Sequence, residues 1–333
     1  MPRIAYTELL ETFQRILVGR GCPVERAALS ARLMAETSAD GVYSHGVNRF
    51  PRVVEYIDKG YIDLAAEPVK VEGMGAFERW DGRRGLGNTN AHAAMARAIE
   101  LAQQNGIGAV ALANTNHWLR GGSYGWQAAE AGCVGLCWTN TMPNMPAWGG
   151  RDPRLGNNPL VIAVPNGAAP VVVDAALAQF SYGRMETAAL NGESLPVPGG
   201  FDAEGRLSTD PAAITASGRV LPIGYWKGSA LSLVLDLVAA VLSGGLTTKG
   251  VGDLGDEYGL SQVFIAFDAK KIAGEALIER VVGEMLAYVA DSKPVDSTRP
   301  VRYPGARVLE CRAEHLANGI PVDATVWAKI QAL

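Results

Sequence analysis

The sequence of 333 residues is short of cysteine, of histidine and of any large excess of charge. Its four cysteines, Cys22, Cys133, Cys137 and Cys311, are too few and too scattered for the disulfide framework of a small secreted domain. The formal net charge of −4 and the isoelectric point near 5.7 argue against a nucleic-acid-binding protein, which needs a basic surface. With only four histidines in the chain, the position of each one carries information.

The sequence also lacks the segments that would direct it to a membrane. Its longest apolar run, LSLVLDLVAAVL, contains Asp236 and is much shorter than the roughly 20 apolar residues that span a bilayer. The amino-terminal stretch MPRIAYTELLETFQ has no apolar segment of the kind found in signal peptides. We therefore expect a cytoplasmic protein that binds neither membrane nor nucleic acid.

Changes in residue pattern along the chain predict three segments. Residues 1–75 have the spacing of amphipathic helices and form a helical segment. Residues 76–270 alternate apolar strands such as GIGAVALAN and VVVDAA with helices, which is typical of an α/β cofactor-binding region. This region contains a polar excursion at about 192–219. Residues 271–333 form a carboxy-terminal segment.

Two short motifs imitate a nucleotide site and a metal site. Gly250, Gly252 and Gly255 in GVGDLG spell G-x-G-x-x-G, but a predicted helix precedes them and the strand QVFIAFD follows. A dinucleotide fingerprint requires the opposite order. Cys133 and Cys137 lie on a predicted strand, where that spacing covers about 13 Å, too far for one ion. We therefore predict neither a Rossmann motif nor a metal site.

The stretch GVYSHGVNRF places Ser44, His45 and Arg49 at a corner between two predicted helices. If the corner is helical, His45 and Arg49 share one face. A proton donor beside a fixed guanidinium suits a 2-oxo acid, because the arginine binds the carboxylate and the imidazolium protonates the developing alkoxide. The alternative is a surface histidine beside a solvated arginine.

Polar residues also follow three of the predicted strands. His117 follows GIGAVALAN, Asn140 and Thr141 follow VGLCW, and Asp174 follows VVV. In open α/β sheets, ligands bind beyond the carboxyl ends of the strands. Asp174 is placed to orient a histidine and stabilise its charged form, although a turn or helix-capping role is the alternative.

The remaining candidates lie near helix ends. Lys227, in YWKGS, precedes an apolar helix predicted from Ser229, and a helix amino terminus favours phosphate. This predicts a pyrophosphate or ribose contact, against the alternative of a lysine that packs its stem at a helix start. We expect His92 and His315 to be structural.

Together these stretches resemble the malate/L-lactate dehydrogenase family of the type that lacks a Rossmann fold, which includes sulfolactate and ureidoglycolate dehydrogenases. The matching pieces run in the expected order over nearly the whole chain: DGVYSHGVNRFPR, NTNHW, GNNPLVIAVP and LPIGYWKGSALSLVLDLVAAVLSGG. Within the family, AQFSYGRME, LPVPGGFDAEG, GDEYGLSQVFIA and NGIPVDATVWAKIQAL resemble the branch that reduces 2,3-diketo-L-gulonate.

The resemblance implies a fold and an activity. The fold is α/β, with a mixed-sheet, non-Rossmann NAD-binding domain packed against a helical domain built from both termini, in a homodimer. The activity is NADH-dependent reduction of the C2 carbonyl of 2,3-diketo-L-gulonate to 3-dehydro-L-gulonate, a reaction of carbohydrate catabolism, with NADPH left open as the cofactor.

The resemblance also assigns the site. His45, beside Ser44, matches the proton donor, and Arg49 matches the substrate-carboxylate position. His117 matches a second active-site histidine, which carries the acid/base role in some members, so the choice between the two histidines is open. Asp174 also supports the catalytic histidine. The residues at dinucleotide-binding positions are Asn140, Thr141, Asp174, Tyr225, Trp226, Lys227, Pro304, Gly305 and Ala306.

Two alternatives to diketogulonate reduction remain at this point. One is a sister enzyme that uses the same residues on ureidoglycolate, malate, lactate or a cyclic imino acid. The other is a non-enzymatic sugar-acid binding protein, which an absence of NADH binding would favour.

Overall fold

The structure, a computed structural model, describes residues 1–190 and 192–333. The helices of these residues are α1 Tyr6–Gly19, α2 Val24–Ala39, α3 Phe50–Asp58, α4 Gly87–Asn105, α5 Gly122–Glu130, α6 Tyr182–Leu190, α7 Pro211–Ser217, α8 Trp226–Ser243, α9 Thr248–Asp253, α10 Ala269–Ala273, α11 Glu275–Ala290, α12 Ala306–Asn318 and α13 Ala324–Gln331. The strands are β1 Arg3–Ile4, β2 Val69–Met74, β3 Phe77–Asp81, β4 Ile107–Asn116, β5 Cys133–Thr139, β6 Met145–Pro146, β7 Pro153–Leu155, β8 Leu160–Val164, β9 Val171–Ala175, β10 Gly200–Phe201, β11 Leu207–Ser208, β12 Tyr258–Asp268 and β13 Ile320–Pro321.

The centre of the molecule is a mixed sheet. Within the described ranges, seven strands form it in the order β2-β3-β4-β12-β5-β8-β9. β3 and β4 run parallel, and the other neighbouring pairs run antiparallel. The GVGDLG stretch lies in α9 and the turn before β12, so a helix precedes the strand there. The mixed sheet confirms the predicted non-Rossmann α/β fold.

Helices cover both faces of the sheet. Alternate residues of β12 point to opposite faces: Phe264 packs with the cluster under α4 and α5, whereas Val263 packs with the cluster under α8. By length and composition, α8 could span a membrane. In this fold it packs on the sheet through Leu235 and Ala239, and Trp138 Nε1 donates to the carbonyl of Leu235 at 3.0 Å.

Both ends of the chain build the helical domain, as the family resemblance implies. The apolar face of α1 buries Leu9, Phe13, Ile16 and Leu17, and the rings of Phe13 and Phe50 stack at 4.1 Å. Trp327 and Ile330 of α13 join the same core. β1 pairs with β13, which fastens the amino-terminal strand to the carboxy-terminal segment.

The predicted polar excursion at about 192–219 lies within a larger lobe. The two sides of its base are joined by backbone hydrogen bonds, from Gln179 N to Leu221 O at 2.7 Å and from Ile223 N to Leu177 O at 2.8 Å. The lobe contains α6, β10, β11 and α7, which the sequence did not predict, and has its own small core.

A buried carboxylate lies on β3. Glu78 is 2% exposed and accepts hydrogen bonds from Arg97, Lys70 and the indole of Trp80. The hydrogen bond from Arg97, helped by those from Lys70 and Trp80, lowers the pKa of Glu78 to about 2 against the effect of burial.

Candidate active site

The corner that carries His45 is packed tightly onto α2. Between α2 and α3 the chain makes two 3₁₀ turns, Tyr43–His45 and Val47–Arg49. Ser38 Oγ accepts the backbone N–H of Val47 at 2.9 Å, and a Cβ at Gly46 would collide with the same hydroxyl. The glycine is therefore required for the corner to approach the helix closely, which fixes the backbone on both sides of it.

His45 and His117, both predicted for one site, face each other. Their rings lie nearly parallel, at 14°, with centroids 5.9 Å apart. His45 Nδ1 is 3.1 Å from Ser44 Oγ. His117 Nδ1 accepts the backbone N–H of Leu119 at 3.0 Å, so the proton of its neutral ring is on Nε2.

Asp174, on the outermost strand β9, completes this group. Its Oδ2 accepts the N–H of Gly122 at 2.7 Å, in the first turn of α5, where a negative charge is favourable. Burial lowers the pKa of His45, while the Asp174 carboxylate opposes this shift and Arg49 and Arg120 add to it.

The surroundings of His117 are less favourable to a cation. Burial lowers its pKa well below the ordinary value, and the positive charges of Arg49, His45 and Arg52 act in the same direction. The surroundings therefore disfavour a charged His117 ring more than a charged His45 ring, which the Asp174 carboxylate stabilises.

Arg49 is held by a carboxylate that the sequence reasoning missed. Its Nη2 lies 3.1 Å from Glu257 Oε2, and Glu257 Oε1 accepts the N–H of Met142 at 3.4 Å. Burial lowers the pKa of Arg49, with Glu257 opposing that shift. The signal for Glu257 was its place in GDEYGL, directly before the buried strand β12.

Asn140 and Thr141 lie at the end of β5 with their side chains already engaged. Asn140 Nδ2 donates to Asp236 Oδ1 at 2.9 Å and to Leu246 O at 2.7 Å, and its Oδ1 accepts Ser261 N–H at 2.8 Å. Both residues are buried. They brace the strand end, and their contact with a cofactor stays a prediction.

Tyr225, Trp226 and Lys227 are exposed at the start of α8. The helix begins at Trp226, three residues earlier than predicted, so Lys227 lies inside its first turn. Tyr225 has a φ of 63° and its ring meets that of Trp148 edge-on, with centroids 5.5 Å apart.

The Pro304–Gly305–Ala306 turn lies against the strand that carries Asp174. Val172 N–H donates to Pro304 O at 3.0 Å. Gly305 has a φ of 105°, and a Cβ there would lie 3.0 Å from Pro170 O, so only glycine fits this turn. The turn leads directly into α12.

The 179–221 lobe touches the histidine corner. Gly183, in the first turn of α6, approaches Ser44 so closely that a Cβ there would lie 2.8 Å from Ser44 Cβ. The hydroxyl of Tyr182 donates to Asn144 O at 2.6 Å. The lobe therefore sits beside the paired imidazoles.

Comparison with known proteins identifies the family. The chain matches the malate/L-lactate dehydrogenase family over residues 4–331. It belongs to that family. A 2,3-diketo-L-gulonate reductase of Citrobacter koseri is 46% identical to it over 333 residues, covering 99% of this chain and 100% of the relative.

Solved structures of the family have the same fold. Sulfolactate dehydrogenase from Methanocaldococcus jannaschii superposes with a TM-score of 0.91 at 27% identity, covering 99% of this chain and 96% of that one. Delta1-piperideine-2-carboxylate reductase from Pseudomonas syringae gives a TM-score of 0.86 at 30% identity, covering 100% and 99%. This malate/L-lactate dehydrogenase family member is therefore an oxidoreductase that acts on a hydroxyl or carbonyl group, and its family implies a nicotinamide cofactor.

In this dehydrogenase the predicted residues fall into four groups, one of which is Asn140 and Thr141 at the end of β5. Ser44, His45 and His117 form one cluster, with Arg49 nearby and the Asp174 carboxylate close enough to affect the charge of the His45 ring. The Pro304–Ala306 turn is hydrogen-bonded to β9, the strand that carries Asp174. The segment Tyr225–Lys227 follows Ile223, whose N–H donates to Leu177 O just after that strand. Over the described ranges, no group of three or more His, Cys, Asp or Glu side chains is arranged to hold a metal ion.

Proposed function

We propose that this protein reduces the C2 carbonyl of 2,3-diketo-L-gulonate to 3-dehydro-L-gulonate with NADH in the cytoplasm. The observation that carries the proposal is the stacked His45–His117 pair, with Ser44 hydrogen-bonded to His45 and with Asp174 and Arg49 near enough to affect the charge of that ring. The substrate assignment is supported by the 46% identity, over full length, to relatives named for that reaction.

In the proposed reaction, His45 gives the proton to the C2 oxygen. Its Nδ1 faces the hydroxyl of Ser44, so the proton that moves is the one on Nε2, and Nδ1–H donates to Ser44 Oγ before and after the transfer. Both protonation states are therefore accommodated without loss of a hydrogen bond. The carboxylate of Asp174 favours the charged ring.

His117 has a different role in the proposal. A second proton on its ring would have to sit on Nδ1, where the N–H of Leu119 already points. The neutral ring instead offers its Nε2–H as a hydrogen-bond donor to an oxygen of the substrate. Such a fixed donor stabilises negative charge as it develops on that oxygen.

Arg49 is proposed to bind the carboxylate of the substrate. Glu257 forms an ion pair with Nη2 at one edge of the guanidinium. The remaining N–H groups leave the planar side chain able to form a second, charge-assisted contact. The ion pair with Glu257 also holds the fork in one orientation.

Residues around β9 and α8 fit a nicotinamide dinucleotide. Asp174 Oδ1 takes part in no hydrogen bond within the described residues and is free to accept from a ribose or amide group. Lys227 and the N–H groups of the first turn of α8 suit a phosphate, and Tyr225 and Trp226 offer exposed rings beside them. When bound, the cofactor supplies the hydride, and the Pro304–Ala306 turn completes its proposed site.

A homodimer is the proposed assembly. Across the described chain, α11 buries none of its side chains, although Leu277, Val281 and Met285 form an apolar stripe along it. The outer face of α8 likewise exposes Leu237 and Val241, the latter at 76%. Apolar faces of this extent are normally covered by another protein surface. A second copy of this chain is the proposed cover.

The dimer is tested by sedimentation velocity. Val281→Glu and Val241→Glu each introduce a charge into the proposed contact, and we expect monomers from both. Val295→Glu changes a fully exposed valine outside the two stripes and should remain a dimer. A monomeric wild-type protein would overturn the assembly and leave the chemistry untouched.

The activity is tested by following the oxidation of NADH by absorbance. Reactions with 2,3-diketo-L-gulonate, oxalurate (the 2-oxo acid that corresponds to ureidoglycolate), oxaloacetate, pyruvate and a cyclic imino acid are compared, each with NADH and with NADPH. We expect the highest kcat/KM with diketogulonate and NADH. Turnover of another 2-oxo acid alone would reject the named substrate. An absence of NADH binding would reject the enzyme assignment and favour a binding protein.

A further inference from the structure

The loop that carries His45 is held from the carboxy-terminal side of the molecule by α12. Asp40, the residue after α2, is 1% exposed at its side chain. Arg312 of α12 binds the Asp40 carboxylate through two guanidinium nitrogens: Nε lies 2.6 Å from Oδ1 and Nη2 lies 2.8 Å from Oδ2. This two-pronged geometry restricts both distance and orientation.

The next turn of α12 holds the same loop at two more points. His315 is buried, and its Nδ1 donates to the carbonyl of Ala39 at 2.7 Å. Its Nε2 lies 3.1 Å from the hydroxyl of Tyr43, the residue directly before Ser44. Glu314 stands 3.2 Å from the same Nε2 and is itself paired with Arg3.

The loop before His45 and α12 come very close together at Gly41. This residue has a φ of 80°, and a Cβ there would lie 3.3 Å from Cys311 Sγ. Cys311, Arg312 and His315 lie on one face of α12, so the helix meets the whole span from Ala39 to Tyr43. The His45 corner is thereby fixed to a helix that starts at the Pro304–Ala306 turn.

Asp40 also connects this helix to the second histidine. Arg120, which is 5% exposed and follows the His117 loop, forms an ion pair with Asp40 Oδ2 through Nη1. The Nε of Arg120 lies near Gly122, whose N–H binds Asp174. A single buried carboxylate thus joins the segment before His45, the segment after His117 and α12.

Stability alone is a poor reason for such a cluster. Taking charged groups out of water is costly, and well-packed apolar residues of the same volume often stabilise a fold as well or better. A cluster of fixed charges does, however, restrict geometry. In enzymes a displacement of about 1 Å can change the rate by roughly a hundredfold.

We propose that Arg312 and His315 are positioning residues, which hold His45 at a fixed place relative to His117 and to the Pro304–Ala306 turn. Neither touches the reacting atoms; both act through Asp40, Ala39 and Tyr43. The proposal rests on the proposed function in taking His45 as the proton donor. It revises our expectation that His315 is merely structural.

The variants are chosen to keep size and polarity. Arg312→Lys keeps the positive charge but loses the two-pronged contact with Asp40. His315→Gln keeps a donor but not the pair of contacts to Ala39 and Tyr43. Arg32→Lys, at a surface arginine of α2, and His92→Gln, at a half-buried histidine of α4, are the matched controls.

For the full-length protein with NADH and the 2-oxo acid that it turns over, we expect kcat to fall at least tenfold in Arg312→Lys and in His315→Gln. KM for the oxo acid and Kd for NADH should stay within about twofold, because the proposed carboxylate and cofactor contacts are intact. The controls should match the wild type. If Arg312→Lys does not fold, His315→Gln decides the question alone.

A readout independent of turnover is the titration of the histidine rings by NMR. With four histidines in the chain, selective labelling gives a resolvable set, and His45→Gln assigns the resonance of His45. We expect both α12 variants to change the chemical shift and titration midpoint of His45 and to leave those of His92 unchanged.

The two readouts separate the possible failures. A wild-type protein with no NADH turnover would reject the proposed function, and the titration of His45 would still test the positioning. Unchanged kcat in both variants, or a lost kcat with an unchanged His45 titration, would overturn the positioning role.

Discussion

A methyl group added at Gly183 is the most direct test of how the 179–221 lobe is coupled to the active site. The new Cβ would lie 2.8 Å from Ser44 Cβ and 3.2 Å from Ser44 Oγ. Carbon atoms in contact prefer about 3.6 Å, so α6 and the Ser44–His45 turn must separate by roughly 0.8 Å. A displacement of about 1 Å can lower a rate by roughly a hundredfold. We therefore expect Gly183→Ala to lower kcat about ten- to thirtyfold.

The stability of this variant should change much less than its rate. Alanine is favoured over glycine inside a helix by about 1 kcal/mol, whereas overpacking costs about 1–3 kcal/mol. Gly19→Ala is the control, because no atom lies within 4 Å of the new methyl group at that helical position. Thermal unfolding and steady-state kinetics on both variants separate the two effects.

A second variant checks the cause of the loss. Adding Ser44→Gly to Gly183→Ala removes the atom that the methyl group strikes. The double variant should regain the lost stability, while its kcat stays at the level of Ser44→Gly alone, because the hydroxyl beside His45 is missing. If Gly183→Ala retains the wild-type kcat, the lobe moves without displacing Ser44, and the proposed coupling is wrong.

Three further predictions concern charge. Because burial sets the pKa of His45 below its ordinary value of 6.5, the rate of reduction should fall as pH rises through that lowered pKa. Asp174→Asn should move the inflection of the pH–rate profile to lower pH. Rates measured from pH 5 to 9 test this, and an inflection unmoved by the variant would contradict it. Glu257→Gln frees Arg49 and should raise KM for the oxo acid about tenfold, equivalent to about 1.4 kcal/mol, with little change in NADH affinity; an unchanged KM would remove Arg49 from the carboxylate site. Glu78→Gln should lower the free energy of unfolding by about 2 kcal/mol at pH 7. Since the pKa of Glu78 falls from 4.5 to about 2 on folding, that difference should be complete above pH 4.5 and shrink as pH falls towards 2 in urea titrations; a difference independent of pH would refute the charge argument.

Local sequence signals were enough for the regular elements that have one strong pattern. The spacing of apolar residues predicted α1, and continuous apolar runs predicted β4 and β9. β2 was not predicted because all of its residues are exposed, so its sequence VKVEGM shows no buried run. α6 and α7 were not predicted because they are short and pack mainly on each other within the lobe.

The candidate site divides in the same way. His45 and Asp174 were predicted as site residues because each lies at a corner or strand end that the local sequence marks. Glu257, Arg120 and Arg312 were missed because each acquires its partner from a distant part of the chain. The contact between Arg312 and Asp40, for example, depends on the packing of α12 against α2, which no local pattern encodes.

The pairing of β1 with β13 and the grip of α12 on the loop before His45 also have a consequence for synthesis in the cell. The ribosome adds about 5–20 residues each second, so α12 emerges on the order of ten seconds or more after His45. Until then β1 lacks its partner strand β13, and the His45 corner lacks the helix that fixes it. A chain interrupted before α12 should therefore expose apolar surface of its amino-terminal helices, which makes it a substrate for chaperones and proteases rather than a partly active enzyme.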